Sequence, residues 1–354
     1  MTSFASSAKL PIAVIGAGAI GRKHVERTLR HDEVQVVAIV DPTPEARAFG
    51  MSLNIPCYPD HQVMLAECRI GGAIVATPNS THADIGIACL DAGVAVLMEK
   101  PVAESVEQAR RLCERREQLG IPLLVGHQRR HNPILQRARE LIANGALGRL
   151  VSATAMAVWF KPESYFQPAW RREAGGGPVL INLVHDIDVF RFLLGDVASV
   201  QASMSNRVRG FEVEDMAAVV LTFANGVIAA MSVSDAAVSP WNWDLAARES
   251  DYFVQQDVNS YYICGTHGSL ALPRLDIWRY DGAAGWQDPL THERTALHRV
   301  DPYMEQLRHF RAVIEGTEVP LCSGRDGLRT LEVTRAVQRA ADTRMSVSLS
   351  SRTD

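Results

Sequence analysis

Two side chains in this sequence are of the types that move protons and steady negative charge, and each stands in an otherwise apolar stretch. Lys100 closes the run AVLMEK, between Glu99 and Pro101. An ammonium there can hydrogen-bond an oxygen on which charge develops. His185 lies in PVLINLVHDIDVF, one helical turn beyond Asn182, so an imidazole and an amide share a face. Imidazole titrates near neutral pH, which suits proton exchange with a hydroxyl. Asp186 and Asp188 fall on other faces. Both side chains also have plainer readings, Lys100 as a surface partner of Glu99 and His185 as a core histidine.

The segment PIAVIGAGAIG, residues 11–21, is an apolar run that empties into a Gly-x-Gly-x-x-Gly turn. A second run, VQVVAIV, follows and ends in Asp41. Strand, glycine turn, helix and strand ending in an acid form the order of a dinucleotide-binding unit. Gly16 lets the chain turn off the strand, Gly18 leaves the backbone open to a pyrophosphate, and Gly21 lets the helix lie on the sheet. The helix start at Ala19 and Ile20 brings unpaired N–H groups toward the phosphates. Asp41 can accept both hydroxyls of the adenosine ribose and would repel a 2′-phosphate, which favours NAD while leaving NADP open. Its plainer reading is a solvated acid starting the turn with Pro42.

These groups need a scaffold, and the hydrophobic pattern supplies one. Up to about residue 126, the runs IAVIG, VQVVAIVD, GAIVAT, AVLMEK and PLLVG alternate with segments of helical spacing, which predicts a doubly wound parallel sheet. Ser80 or Thr81 is the expected N-cap of one helix. In such sheets ligands bind beyond the carboxyl ends of the strands. Thr77, Pro78, Asn79, His82, Glu99 and Lys100 are delivered there, as are Gln128, Arg129 and His131 of GHQRRHN. After residue 132 longer alternating runs predict a mostly antiparallel sheet, with Asn225-Gly226 at a hairpin turn. The expected division is residues 1–126 as a cofactor domain and 127–354 as an α+β substrate and oligomerisation domain, whose last helices pack back on the first. Residues 159–166, Trp170, Arg171 and the stretch 239–244, with Trp241 and Trp243, are candidate walls for a substrate, and Trp170 and Arg171 are also candidate cofactor contacts. Packing of these tryptophans in the sheet is the plainer alternative.

The chain has 354 residues, 47% of them hydrophobic and 21% charged, which fits a soluble two-domain protein. A net charge of -4 argues against a nucleic-acid partner. No apolar stretch approaches the roughly 20 residues that cross a bilayer, and the N-terminus lacks a signal-peptide core, so the expected location is the cytoplasm. The 6 cysteines show no metal-binding spacing and read as reduced, so no metal is expected.

Taken together, the glycine turn with His24 beyond it, Thr-Pro-Asn-x-x-His, Glu-Lys-Pro, Gln-Arg-Arg and Gly-Gly-Gly followed by His-x-Ile-Asp resemble the glucose-fructose oxidoreductase / inositol dehydrogenase / MocA family, from about residue 11 to about residue 345. The resemblance implies a Rossmann domain followed by an α+β domain with a large, mostly antiparallel sheet. It also implies NAD(P)-dependent oxidation or reduction of a sugar, polyol or related carbinol, often in a homodimer or homotetramer. By position, Lys100 matches the family's active-site lysine and His185 its catalytic histidine. Arg129 falls where the family contacts the cofactor, and Gln128 where it approaches substrate. One departure stands out: many relatives carry an Asp four residues before the histidine, where this chain has Ile181. Two alternatives follow, a redox-neutral cycle (glycoside cleavage or epimerisation) on tightly held NAD and a non-catalytic dinucleotide-binding sensor.

Overall fold

Residues 9–349 are described by a computed structural model, in which the chain divides into two compact units. The first runs to His131 and takes in Asp301–Leu331; the second comprises Asn132–Val300 and the chain from Glu332 onward.

Six short strands of the first unit, β1 (Leu10–Ile15), β2 (Val34–Val40), β3 (Cys57–Tyr58), β4 (Gly72–Val75), β5 (Ala95–Met98) and β6 (Leu123–Val125), pair in parallel in the order β3-β2-β1-β4-β5-β6. The order reverses between β1 and β4, the switch point at which open α/β sheets bind ligands. Both faces of the strands are apolar because helices cover both. The crossover helices are α1 (Ala19–Leu29), α2 (Pro44–Ser52), α3 (His61–Glu67), α4 (His82–Asp91) and α5 (Val106–Leu119). Thr81 does precede α4, yet its side chain makes no capping bond to the helix; its hydroxyl donates to the Pro78 carbonyl instead.

The second unit carries α6 (Pro133–Ala143), α7 (Val184–Leu194), the short α8 (Trp243–Ala246) and a sheet of nine strands. The strands are β7 (Leu150–Val158), β8 (Val197–Ser205), β9 (Met216–Phe223), β10 (Ile228–Ser234), β11 (Tyr261–Gly265), β12 (Ser269–Leu272), β13 (Asp276–Tyr280), β14 (Leu290–Arg294) and β15 (Val347–Ser348). Their order is β14-β13-β12-β11-β7-β10-β9-β8-β15, antiparallel except where β7 meets β10. The expected hairpin joins β9 to β10, and Gly226 supplies its positive φ of 88°.

Two further helices, α9 (Pro302–Ile314) and α10 (Gly324–Thr343), follow the large sheet. Leu307 and Phe310 of α9 join Ile12, Val14, Ile39, Ile74 and Leu97 in the core of the first unit. The segment between α9 and α10 pairs with β6, where Val125 N donates to Cys322 O, and so covers that edge strand.

Candidate active site

At the end of β1 the chain turns through Gly16, whose φ is 97°. A Cβ there would stand 2.5 Å from the Ala76 carbonyl beyond β4, so only glycine lets the two strand ends meet. Gly21 is as tightly held, since its Cβ would fall 1.8 Å from the Gly16 carbonyl. At Gly18, by contrast, a Cβ would meet nothing within 4 Å, and no side chain caps the α1 N-terminus there. Gly18, Ala19 and Ile20 are exposed. An open, uncapped helix N-terminus beside a glycine turn is a cradle for an anionic pyrophosphate, and the residues present fit a dinucleotide.

Asp41 leaves β2 beside this turn. One carboxylate oxygen accepts from Ala17 N at 2.8 Å, the other from Thr43 N at 3.0 Å and the Thr43 hydroxyl at 2.6 Å. Partial burial pushes the carboxyl upward, but those hydrogen bonds and the Arg22 guanidinium outweigh it and hold Asp41 below the usual carboxylate range. Arg22 donates to Ala17 O at 3.0 Å and lies over the Phe49 ring, adding a cation at the ribose end that the glycine motif does not announce.

Lys100 sits in a turn pinned on both sides by buried histidines. His24 of α1 meets Glu99 Oε1 through Nε2 at 2.7 Å, and the Lys100 N–H donates to Glu99 Oε2 at 3.2 Å. Burial raises Glu99, while the His24 hydrogen bond, His24 charge and Lys100 lower it further, so the carboxyl stays below its ordinary range and is ionised. Gly126 makes room for it, because a Cβ there would stand 3.2 Å from Glu99 Oε1. On the other side, His82 bridges two carbonyls, Pro101 O through Nδ1 and Thr77 O through Nε2, each at 2.9 Å. Thr77 and Asn79 are half-buried, Pro78 is exposed, and the Lys100-Pro101 peptide is cis.

Gln128, Arg129 and His131 form a buried 3-10 turn beyond β6. His131 lies 5.1 Å from the His309 ring, and burial, His309, Arg130 and Arg308 push its pKa down to about 3. It packs against His309 within the first unit and is held toward its neutral form. His309 accepts from Leu321 N through Nε2 at 2.9 Å, and its Nδ1 lies 2.5 Å from Glu318 Oε2.

In the second unit the chain enters α7 through a π turn, Val179–Leu183, a local widening often found at functional sites. Ile181, Asn182 and His185 are its half-buried positions, while Asp186 is buried and takes a hydrogen bond from the Tyr261 hydroxyl. Lys161, beyond β7, donates from Nζ to Asn182 Oδ1 at 2.6 Å. Trp170 is 53% exposed, and Arg171 lies 3.8 Å from the centroid of Tyr165. Trp243 does not form a substrate wall. It is fully buried, stacks on Tyr261 at 5.1 Å and donates from Nε1 to Glu249 at 2.8 Å, because α8 folds it into the core beside β11. Trp241 of the same stretch is 44% exposed.

The 6 cysteines are free, and no group of three or more His, Cys, Asp or Glu that could hold a metal ion occurs among the described residues. Nor is any helix of the described residues long and apolar enough to cross a membrane.

Known proteins are similar to this chain. The D-apiose dehydrogenase of Paraburkholderia graminis is 29% identical to this chain over 356 residues, covering 96% of it and 89% of that protein. Inositol 2-dehydrogenase of Rhizobium meliloti is 26% identical, covering 95% of this chain and 98% of its own length. Among solved structures, the WlbA dehydrogenase of Bordetella pertussis in complex with NADH and UDP-GlcNAcA superposes with a TM-score of 0.80 at 24% identity, over 97% of this chain and 99% of that one. The family model for the NAD-binding Rossmann fold of the GFO/IDH/MocA oxidoreductases matches residues 10–127, and that for the family's C-terminal domain matches 135–271. With the switch-point cradle, the pinned lysine turn and both domain models in register, the chain belongs to the GFO/IDH/MocA family of NAD-binding oxidoreductases.

Proposed function

We propose that the protein transfers hydride between NAD and a secondary alcohol or ketone of a sugar, inositol, sugar acid or related cyclic diol. Bound NAD supplies the carbon that accepts or returns the hydride. His185 takes the hydroxyl proton as general base, and the Lys100 ammonium donates to the same oxygen and holds the charge developing on it. In the reverse direction the same two groups deliver the proton to a reduced carbonyl. Ile181 cannot accept a proton, so this reading places proton transfer on His185 alone.

The observation that carries the reading is the mounting of Lys100. Glu99 with His24 on one side and His82 on the other fix its backbone at the strand ends beside the glycine turn. Such fixed placement is what charge stabilisation requires of a donor. Replacing Lys100→Met tests it: turnover should fall about 10²- to 10³-fold with NAD still bound. Unchanged turnover would remove Lys100 from the mechanism. A panel of sugars, inositols, sugar acids and cyclic diols, offered with NAD and NADP and followed by nicotinamide absorbance, finds the substrate. A flat response with ligand still detected by thermal shift would favour the sensor reading, and cofactor that is never released would favour a redox-neutral cycle.

A further inference from the structure

Lys161 falls in the stretch 159–166 read above as a candidate substrate wall, and in the second unit it is among the most deeply placed charges. Its side chain is 6% exposed, with Nζ 2.6 Å from Asn182 Oδ1 and 3.8 Å from Asp235. It stands 4.5 Å from the centroid of Tyr165, the ring that also carries Arg171 at 3.8 Å. Arg209, with a side chain 5% exposed, binds the other Asp235 oxygen through Nε at 3.0 Å. Its remaining donors go to Lys161 O, Asp235 O and Glu163, whose side chain is 82% exposed.

Lys161 and Arg209 share the buried carboxylate of Asp235, whereas Arg171, on the same Tyr165 ring as Lys161, has no carboxylate within 4.0 Å among the described residues and its buried Nε has no hydrogen-bond partner. Of the other acids nearby, Glu163 is engaged by Arg209 at 3.1 Å. Burial pushes both Glu214 and Tyr165 up, toward their neutral forms. Asp215 is engaged by the Val208 and Arg209 N–H groups, and Asp244 acts on Lys161 only at longer range. Burial, followed by Arg171 and Arg209 and against the pull of Asp235, brings the Lys161 pKa down to about 8. A partly buried guanidinium without an ion-pair partner favours an anion.

The amide of Asn182 points the same way. Lysine has only donors, so Asn182 must turn its oxygen to Lys161 and its NH2 away. That NH2 has no acceptor among the described residues, and Asn182, like His185, is half-buried.

We propose that Lys161, Arg171 and the Asn182 amide form a receptor for a carboxylate carried by the substrate, making this an enzyme of sugar acids or related hydroxy acids and not of neutral sugars or inositols. The inference rests on the dehydrogenase reading above and narrows its substrate class. The two planar oxygens of a carboxylate match a guanidinium edge and an amide NH2 together.

The test compares matched compounds as substrates of the full-length enzyme with NAD: glucuronate with glucose, galacturonate with galactose, gluconate with glucitol, and glucose 6-phosphate as a second anion. The best substrate should be a carboxylate, at least about tenfold above its neutral partner in kcat/KM. Lys161→Met should abolish that preference through a rise in KM of about 10- to 100-fold, and Lys161→Arg should restore part of it. In the wild type the preference should fade above pH 8 as Lys161 loses its proton, a change that a purely structural lysine would not cause. Should Lys161→Met fail to fold, Arg171→Gln at its half-buried position carries the same prediction. A neutral or phosphorylated best substrate, or an acid preference that survives both substitutions, overturns the carboxylate receptor. Absence of NAD reduction with every compound overturns the dehydrogenase reading itself.

Discussion

The Asp41 carboxylate ties Ala17 of the glycine turn to Thr43 of the next turn while still facing the ribose end. Asp41→Ala removes both the tie and the repulsion of a 2′-phosphate, and leaves the Arg22 cation in place. Measured as kcat/KM with each cofactor, NAD use should drop about tenfold or more, and the ratio of NADP to NAD use should rise. His185 presents its ring from the half-buried face of α7. His185→Asn should reduce kcat about 10²- to 10⁴-fold and remove the limb near neutral pH from the pH–rate profile. A profile that keeps that limb would assign the proton to another group.

The β1-turn-α1 unit separates two roles of glycine that a motif cannot tell apart. At Gly21 a Cβ would strike the Gly16 carbonyl at 1.8 Å, so Gly21→Ala must push α1 off the sheet. Both thermal stability and NAD affinity should fall, the first by about 1–3 kcal/mol. At Gly18 there is open space and an ordinary φ of -68°, so Gly18→Ala should leave the melting temperature unchanged. Its methyl group occupies the approach to the backbone, and NAD affinity alone should suffer. Parallel melting curves and NAD titrations of the two variants check this. In the second unit the π turn Val179–Leu183 has the corresponding positioning role, setting Asn182 and His185 one after the other along one face.

For the chain as a whole, acid should act first through the α9 cluster of the first unit. His131 is held neutral, with its pKa down to about 3, so the unfolded chain binds a proton that the folded chain refuses once the pH falls below about 6.5. The Arg308 guanidinium and His309 hold Glu318 down to about 2, so its contribution is present above about 4.3 and is lost as the pH falls toward 2. Both signs agree: stability declines with acid from just below neutrality. Thermal unfolding against pH should show the two steps, and Glu318→Gln should flatten the lower one while lowering stability at pH 7. A Glu318→Gln curve parallel to the wild type would sink the assignment.

The glycine turn and the strand ends around it could be read from the amino acids alone because they depend on local geometry. Gly16 and Gly21 are required by a turn whose strand and helix adjoin it in the chain, and strand-end placement of Asp41 and Lys100 follows from hydrophobic period. Likewise the Asn225-Gly226 hairpin is a contact between neighbours in sequence. Long-range packing carried no such signal. Trp243 and Trp170 look alike in a chain of letters, yet one is stacked in the core and the other is 53% exposed. Nothing in GHQRRHN announces that α9 brings His309 against His131. Lys161 falls in the candidate wall 159–166, but parallel pairing of β7 with β10 sets it beside Asp235, and the π turn brings Asn182 to its ammonium. Burial and net charge around a group are sums over residues distant in the chain, and they come into being only when the sheet and helices close on one another.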